Sequence, residues 1–241
     1  MKNKSFKLKN KPTKKKKKGL FILLILLFLV GILATQADNI LNHFVQHNQT
    51  TQFQKLSAEE LAKNNKKKAS FDYDAVQIVN DKKIMESLLS DEGASDNYVV
   101  AGLSIPSVGI RLDIYKGVSD YALLRGAGTY LPNQQMGKGN YILAGHNMED
   151  GVTLFSPLYR IKNGALIYLS DGRDIYTYQV YDISTISSTT VEVLNEEVEE
   201  PIVSLLTCAD RYAINRICVK GKLVEKIAVQ EASSKIKQVF R

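Results

Sequence analysis

The chain reads as an all-β domain, a closed barrel or sandwich with only short helices, preceded by one N-terminal apolar helix. Three observations predict this. Short runs rich in β-branched and aromatic residues lie at 99–105, 110–115, 141–144, 165–170, 175–186, 202–207 and 216–224, separated by Gly, Asn and Asp. Nothing recurs at a period of 20–50 residues, which excludes solenoids. Residues 19–37 carry no charge and follow directly on five consecutive lysines.

As a helix, residues 19–37 would span about 28 Å, the thickness of a bilayer's hydrocarbon core. The basic tail, residues 1–18, should then stay cytoplasmic and everything after the span lie outside. Two readings are open: an uncleaved signal-anchor, favoured by the length of the apolar run, or a secretory signal cleaved after Thr35-Gln36-Ala37. Both place the folded part on the extracytoplasmic side. The chain's formal charge of +7 is local. Ten of its 32 basic residues fall within residues 1–18, which hold no acid, leaving 22 against 25 acidic residues elsewhere, a net of −3. A mildly acidic domain lacks the basic face that nucleic acid requires. A 44% hydrophobic content excludes a disordered chain, and two cysteines exclude a zinc ribbon or disulfide framework.

Residues 38–90 read as a polar, partly helical stalk. Ser57 and Glu60 have capping-box spacing, and a second helical stretch is expected at 82–89. His43 and His47 stand at i, i+4, an incomplete metal pair read as exposed histidines. Residues 91–230 form the domain and residues 231–241 a C-terminal tail. In 175–183, Tyr176, Tyr178, Val180 and Asp182 alternate with Ile175, Thr177, Gln179, Tyr181 and Ile183, a strand with two faces. Asp171-Gly172 is a hairpin signal, and 121–125 reads as one helical turn. Gly126-Ala-Gly128 and Gly137-Lys-Gly139 complete no phosphate-loop pattern and read as flexible turns. No apolar run follows Val224 that could be a second span.

His146 follows the apolar strand 141–144 and a glycine, where it could exchange a proton with a group in a cleft. Cys208 ends the strand 202–207 among polar neighbours, which is not a core position. Cys218, between Ile217 and Val219, reads as a small buried residue, although a Cys208–Cys218 disulfide is open. Arg216 begins the next strand opposite the end of the first, on the same side as Cys218. A cysteine, a histidine and an arginine converging at strand ends would supply a thiolate, its proton partner and a positive charge for an oxyanion.

The segments Leu103-Ser-Ile-Pro106, Gly126-Ala-Gly-Thr129, Gly139-Asn-Tyr-Ile-Leu-Ala-Gly-His146, Leu154-Phe-Ser-Pro-Leu158 and Ser204-Leu-Leu-Thr-Cys208, followed by Arg216, resemble the class A sortases over residues 99–224 and in that family's order. The family pattern Thr-Leu-x-Thr-Cys has Ser204 in its first position here. The resemblance implies an eight-stranded sortase-type β-barrel. It implies Cys208 as nucleophile on the Thr–Gly bond of a Leu-Pro-x-Thr-Gly (LPXTG-type) sorting signal, His146 as proton donor and acceptor, and Arg216 as signal and oxyanion ligand. Thr207 and Ala144 would contact the substrate. The implied partners are surface proteins bearing the signal and a peptidoglycan-precursor amine, and no cofactor is implied.

Some sortases bind calcium through carboxylates before the histidine strand. No Asp or Glu lies between Gly126 and Gly145, so activity is expected to be independent of calcium. The acidic stretch Glu192, Glu196, Glu197, Glu199 and Glu200 reads as a solvated loop. The lid and C-terminal span of many pilin-polymerising sortases are not evident, which favours housekeeping anchoring. Two alternatives remain at this point: an envelope binding module with a structural Cys208–Cys218 disulfide, and a hydrolytic cysteine peptidase of the same fold.

Overall fold

The computed structural model describes residues 52–72, 98–148, 150–187, 199–209 and 214–241, with 21–23, 25–28 and 31 near the N-terminus. Those N-terminal residues are helical, and the apolar side chains from Phe21 to Phe28 among them are exposed. No helix among the described residues is long and apolar enough to cross a membrane. The rest of the expected span, the helix expected at 82–89, and His43 and His47 lie outside the described residues.

Eight strands close into a barrel: β1 (Val99–Ile105), β2 (Ile110–Tyr115), β3 (Ala127–Thr129), β4 (Asn140–Ala144), β5 (Leu166–Ser170), β6 (Asp174–Ser187), β7 (Ile202–Cys208) and β8 (Asn215–Ala228). Around the barrel the order is β1-β2-β3-β4-β7-β8-β6-β5, with β5 returning to β1. Closure gives each strand a neighbour on both sides, although β3 meets only Ile114 and Tyr115 of β2 and the far half of β6 pairs with β8 alone. Two neighbouring pairs are parallel, β2 with β3 and β4 with β7, and the others are antiparallel. The Asp171-Gly172 hairpin joins β5 to β6. There the Asp171 carboxylate accepts from the backbone N–H groups of Arg173 and Asp174.

The strands fall where β-branched and aromatic runs predict them, with one exception. Gly126-Ala-Gly128 is not a flexible turn: it supplies most of β3, wedged between β2 and β4. Its glycines are needed for close approach. A Cβ on Gly126 would lie 2.2 Å from the Asp113 carbonyl oxygen, and one on Gly128 would lie 2.3 Å from that of Gly117. The alternation of β6 also breaks. Register shifts between Thr177 and Tyr178 and between Val180 and Asp182 leave Tyr181 as an extra, outward residue.

Residues 52–72 are partly helical, as expected of the stalk, but they lie against the barrel. Helix α1 (Ala58–Asn64) starts at a complete capping box: the Ser57 side chain accepts from Glu60 N–H, and the Glu60 carboxylate accepts from Ser57 N–H. Its apolar side carries Leu61, 1% exposed, against Val99, Tyr115 and Ala122. Just before it, the buried Asp113 carboxylate of β2 accepts from the N–H groups of Gln52 and Phe53 at 2.7 and 3.0 Å. The C-terminal tail is anchored in the same way. Helix α3 (Ser234–Gln238) and Phe240 pack against Ile175, with the Phe240 ring 5.6 Å from that of Phe53. Both ends of the domain therefore contribute to its core.

Replacing Leu61 by Ala removes a fully buried side chain at this contact and should cost about 2–4 kcal/mol. Urea unfolding of the two proteins measures it. An unchanged unfolding midpoint would mean that residues 52–72 contribute nothing to the barrel's stability.

Candidate active site

The register of three adjacent strands brings together the residues that the sequence singled out. β4 and β7 run parallel with Ala144 opposite Leu206, and the Gly145 N–H donates to the Leu206 carbonyl at 3.0 Å. Two residues further on, His146 and Cys208 leave the same ends of the two strands on the same face. β8 runs antiparallel to β7 with Arg216 directly opposite Cys208. The Ala209 N–H donates to the Asn215 carbonyl at 2.9 Å. The hydrogen-bonded rung is therefore 209–215, and Cys208–Arg216 is a non-hydrogen-bonded pair. Side chains of such pairs stand closest.

The same register argues against the disulfide. Cys218 lies opposite Leu206, not opposite Cys208. Cys208 and Cys218 are thus diagonal neighbours, roughly 7–8 Å apart, whereas a disulfide needs Cβ atoms about 4 Å apart. Neither cysteine is in a disulfide. Cys218 is the buried small residue expected, packed with Ile142 and Leu206, and burial pushes its thiol up to about 11. Cys208 is half-buried at the strand end.

His146 is 8% exposed, and burial pushes its imidazole down to about 4. The charge of Asp120 opposes this and favours the protonated form. Asp120 is the first residue of helix α2 (Asp120–Arg125), whose N-cap Ser119 accepts from the Ala122 N–H through its side chain. At neutral pH the imidazole is therefore unprotonated and can accept a proton. Behind it, Gly145 lies against the ring of the buried Phe155, where a Cβ would come within 2.7 Å. The His146 carbonyl accepts from the Phe155 N–H at 3.0 Å, and Asn147 forms an isolated bridge with Leu154. Arg216 is 9% exposed, and its Nη1 donates to the Asn215 carbonyl.

Thr207 and Ala144 are placed differently from the substrate-contacting positions that the resemblance implies. Thr207 is 1% exposed and projects to the face opposite Cys208, because neighbouring strand residues alternate. Ala144 shares the face of His146 but lies fully buried beneath Val118, Leu123 and Tyr130. Neither presents open surface to a ligand. Asp210, two residues after Cys208 and one of its polar neighbours in the sequence, lies outside the described residues. Two features were not visible in the sequence: the charge of Asp120 acting on His146 from 26 positions upstream, and the Asn147 side chain, whose Nδ2 donates to the Cys208 carbonyl at 2.9 Å. Among the described residues no three His, Cys, Asp or Glu side chains cluster as metal ligands. Glu200 instead pairs with Lys222 at 2.7 Å.

The low folded-state value at His146 ties stability to pH. Between about 4 and 6.5 the unfolded chain holds a proton on this residue that the folded chain lacks. The contribution is complete above pH 6.5 and is lost as pH falls toward 4, by about 3 kcal/mol at most. Denaturation of wild type and His146→Gln across this range should show the wild type losing more stability on acidification. Parallel curves would contradict a buried, neutral imidazole. At the neighbouring position, Gly145→Ala must displace the Phe155 ring. It should destabilise by about 1–3 kcal/mol and lower turnover, both checked on one purified variant, and wild-type values would show that the ring yields freely.

Comparison with known proteins agrees with this fold. A family model described as the sortase domain matches residues 103–224. A protein named Sortase A from Streptococcus agalactiae is 35% identical over 240 residues, covering 94% of this chain and 95% of its own length. Sortase A of Listeria monocytogenes is 35% identical over 186 residues, or 76% of this chain and 82% of that protein. The crystal structure of the Listeria enzyme superposes with a TM-score of 0.55 at 34% identity, covering 59% of this chain and 97% of that one. The barrel, the ordered segments and these matches together establish that the chain belongs to the sortase family, the transpeptidases of the cell wall.

Proposed function

We propose that the chain is a class A housekeeping sortase whose reaction centre is Cys208, His146 and Arg216. The observation that carries this reading is the direct pairing of Cys208 with Arg216, with His146 at the same end of the adjacent parallel strand. The substrate is an LPXTG-type sorting signal. The Cys208 sulfur attacks the Thr–Gly carbonyl carbon while its proton passes to the neutral His146. The oxyanion formed on that carbonyl is held by Arg216, whose charge is close because the two side chains occupy a non-hydrogen-bonded pair. Collapse breaks the C–N bond, His146 protonates the departing glycine amine, and a thioester to Cys208 remains. An amine of a peptidoglycan precursor then loses a proton to His146, attacks the thioester and releases the thiol, which regains that proton. The surface protein is thereby joined to the wall precursor.

The N-terminal apolar run supports a single-pass signal-anchor with a cytoplasmic basic tail and the barrel outside the membrane. That arrangement would hold the enzyme where secreted substrates emerge.

The test is mass-spectrometric analysis of a Leu-Pro-x-Thr-Gly peptide incubated with the full-length chain, with and without an amine acceptor. The expected product is the peptide cut after Thr and joined to the acceptor. The Cys208→Ala and Arg216→Ala proteins should lose at least about a hundredfold in rate. Hydrolysis alone, with no joined product, would favour a peptidase. The rate should be the same in calcium and in chelator, and a several-fold loss in chelator would overturn the expected calcium independence.

A further inference from the structure

The catalytic strand's last carbonyl has an unusual donor. In the β4–β7 pairing the Gly145 N–H donates to the Leu206 carbonyl. In a parallel ladder the donors recur at every second residue, so the next rung would run from the Asn147 N–H to the Cys208 carbonyl. By then the chain has left β4: Asn147 bridges Leu154, and the His146 carbonyl accepts from Phe155. The Cys208 carbonyl cannot turn to β8 instead, because Cys208–Arg216 is a non-hydrogen-bonded pair and its backbone groups point toward β4. The group that fills the rung is the Asn147 side-chain amide, with Nδ2 2.9 Å from the Cys208 oxygen.

We infer that Asn147 is a positioning residue for the transpeptidation. Its amide extends the β4–β7 ladder by one rung, through the nucleophile itself. Asn147 follows His146 directly, so this one bond ties the backbone of the base to the backbone of the nucleophile. Their separation is then held at the end of two strands, where parallel pairing would otherwise have stopped. The described residues around Asn147 make further bonds. Met148 N–H donates to Ser156 Oγ at 2.7 Å, and the Asp150 carboxylate accepts from the N–H groups of Val152 and Thr153. The amide is exposed, so its loss should change alignment more than stability.

This inference rests on Cys208 being the nucleophile. The experiment compares the full-length wild type with Asn147→Ala, Asn147→Asp and Asn147→Gln, measuring kcat and KM for the sorting-signal peptide together with the melting temperature. Alanine removes the side chain, aspartate keeps its shape but has no donor at neutral pH, and glutamine keeps the donor. Loss of one net hydrogen bond from the aligned state predicts a fall of about fivefold in kcat for the first two. KM and melting temperature should be unchanged, and Asn147→Gln should retain more of kcat than Asn147→Asp. Wild-type kcat in Asn147→Ala, a loss confined to KM or matched by the melting temperature, or equal kcat in Asn147→Asp and Asn147→Gln would each overturn it. A wild type with no Cys208-dependent activity would instead defeat the reading of Cys208, which separates the two failures.

Discussion

The position of β7 between a parallel and an antiparallel neighbour is the constraint on which the site depends. On one side β7 runs parallel to β4 with Ala144 opposite Leu206, so the chain leaving β4 carries His146 toward the end of β7 that bears Cys208. On the other side β8 enters from the opposite direction, so its first residues meet the last of β7 and Arg216 stands opposite Cys208. A slip of one residue in either pairing would turn a whole strand's side chains to the other face and disperse the three groups. The slip is opposed by burial on both faces of β7, where every residue from Ile202 to Thr207 is buried.

The chemistry depends on how the rest of the fold covers that strand end. Burial makes His146 neutral at physiological pH, and this requires walls. Next to His146 in sequence, Gly145 lets the Phe155 ring sit against the backbone where no side chain intervenes. Helix α2 packs Leu123 on the neighbouring Ala144 and brings Asp120, whose charge partly restores the imidazole's affinity for a proton. The loop before α2 is in turn held by the N-terminal segment, through the Val118 N–H donating to the Ser70 carbonyl at 2.9 Å. Residues 52–72 thus reach from the Asp113 carboxylate to the approach to α2. A segment that reads as a polar tether is part of the scaffold behind His146.

Much of this was legible in the sequence. Strand positions followed from β-branched and aromatic runs bounded by turn residues, and the capping box at Ser57 and the buried character of Cys218 followed from local pattern. Cys208 stood out as a cysteine at a polar strand end, and His146 as the one histidine of the domain, at another strand end. β3 was not legible: a three-residue strand of Gly, Ala and Thr carries no β signal, and its need for glycine arises only from the carbonyls of Asp113 and Gly117 pressing on it. The docking of 52–72 was hidden because two leucines and two phenylalanines scattered through a polar stretch do not reveal what they pack against. Thr207 and Ala144 carried over from the resemblance as substrate contacts, but strand alternation buries the first and helix α2 covers the second. The Asn147 amide was invisible for the same reason as Asp120: its partner is fixed by tertiary register, not by spacing along the chain.

If Cys208 is the acyl carrier, it needs His146 beside it to become one. The most direct measurement incubates the full-length protein with a sorting-signal peptide in the absence of any amine, quenches in acid, and locates the covalent adduct by mass mapping of proteolytic fragments. The account predicts a thioester of the peptide's N-terminal portion on Cys208 alone, released by hydroxylamine and greatly reduced in His146→Ala. An adduct on another residue, or one that forms undiminished without His146, would contradict it.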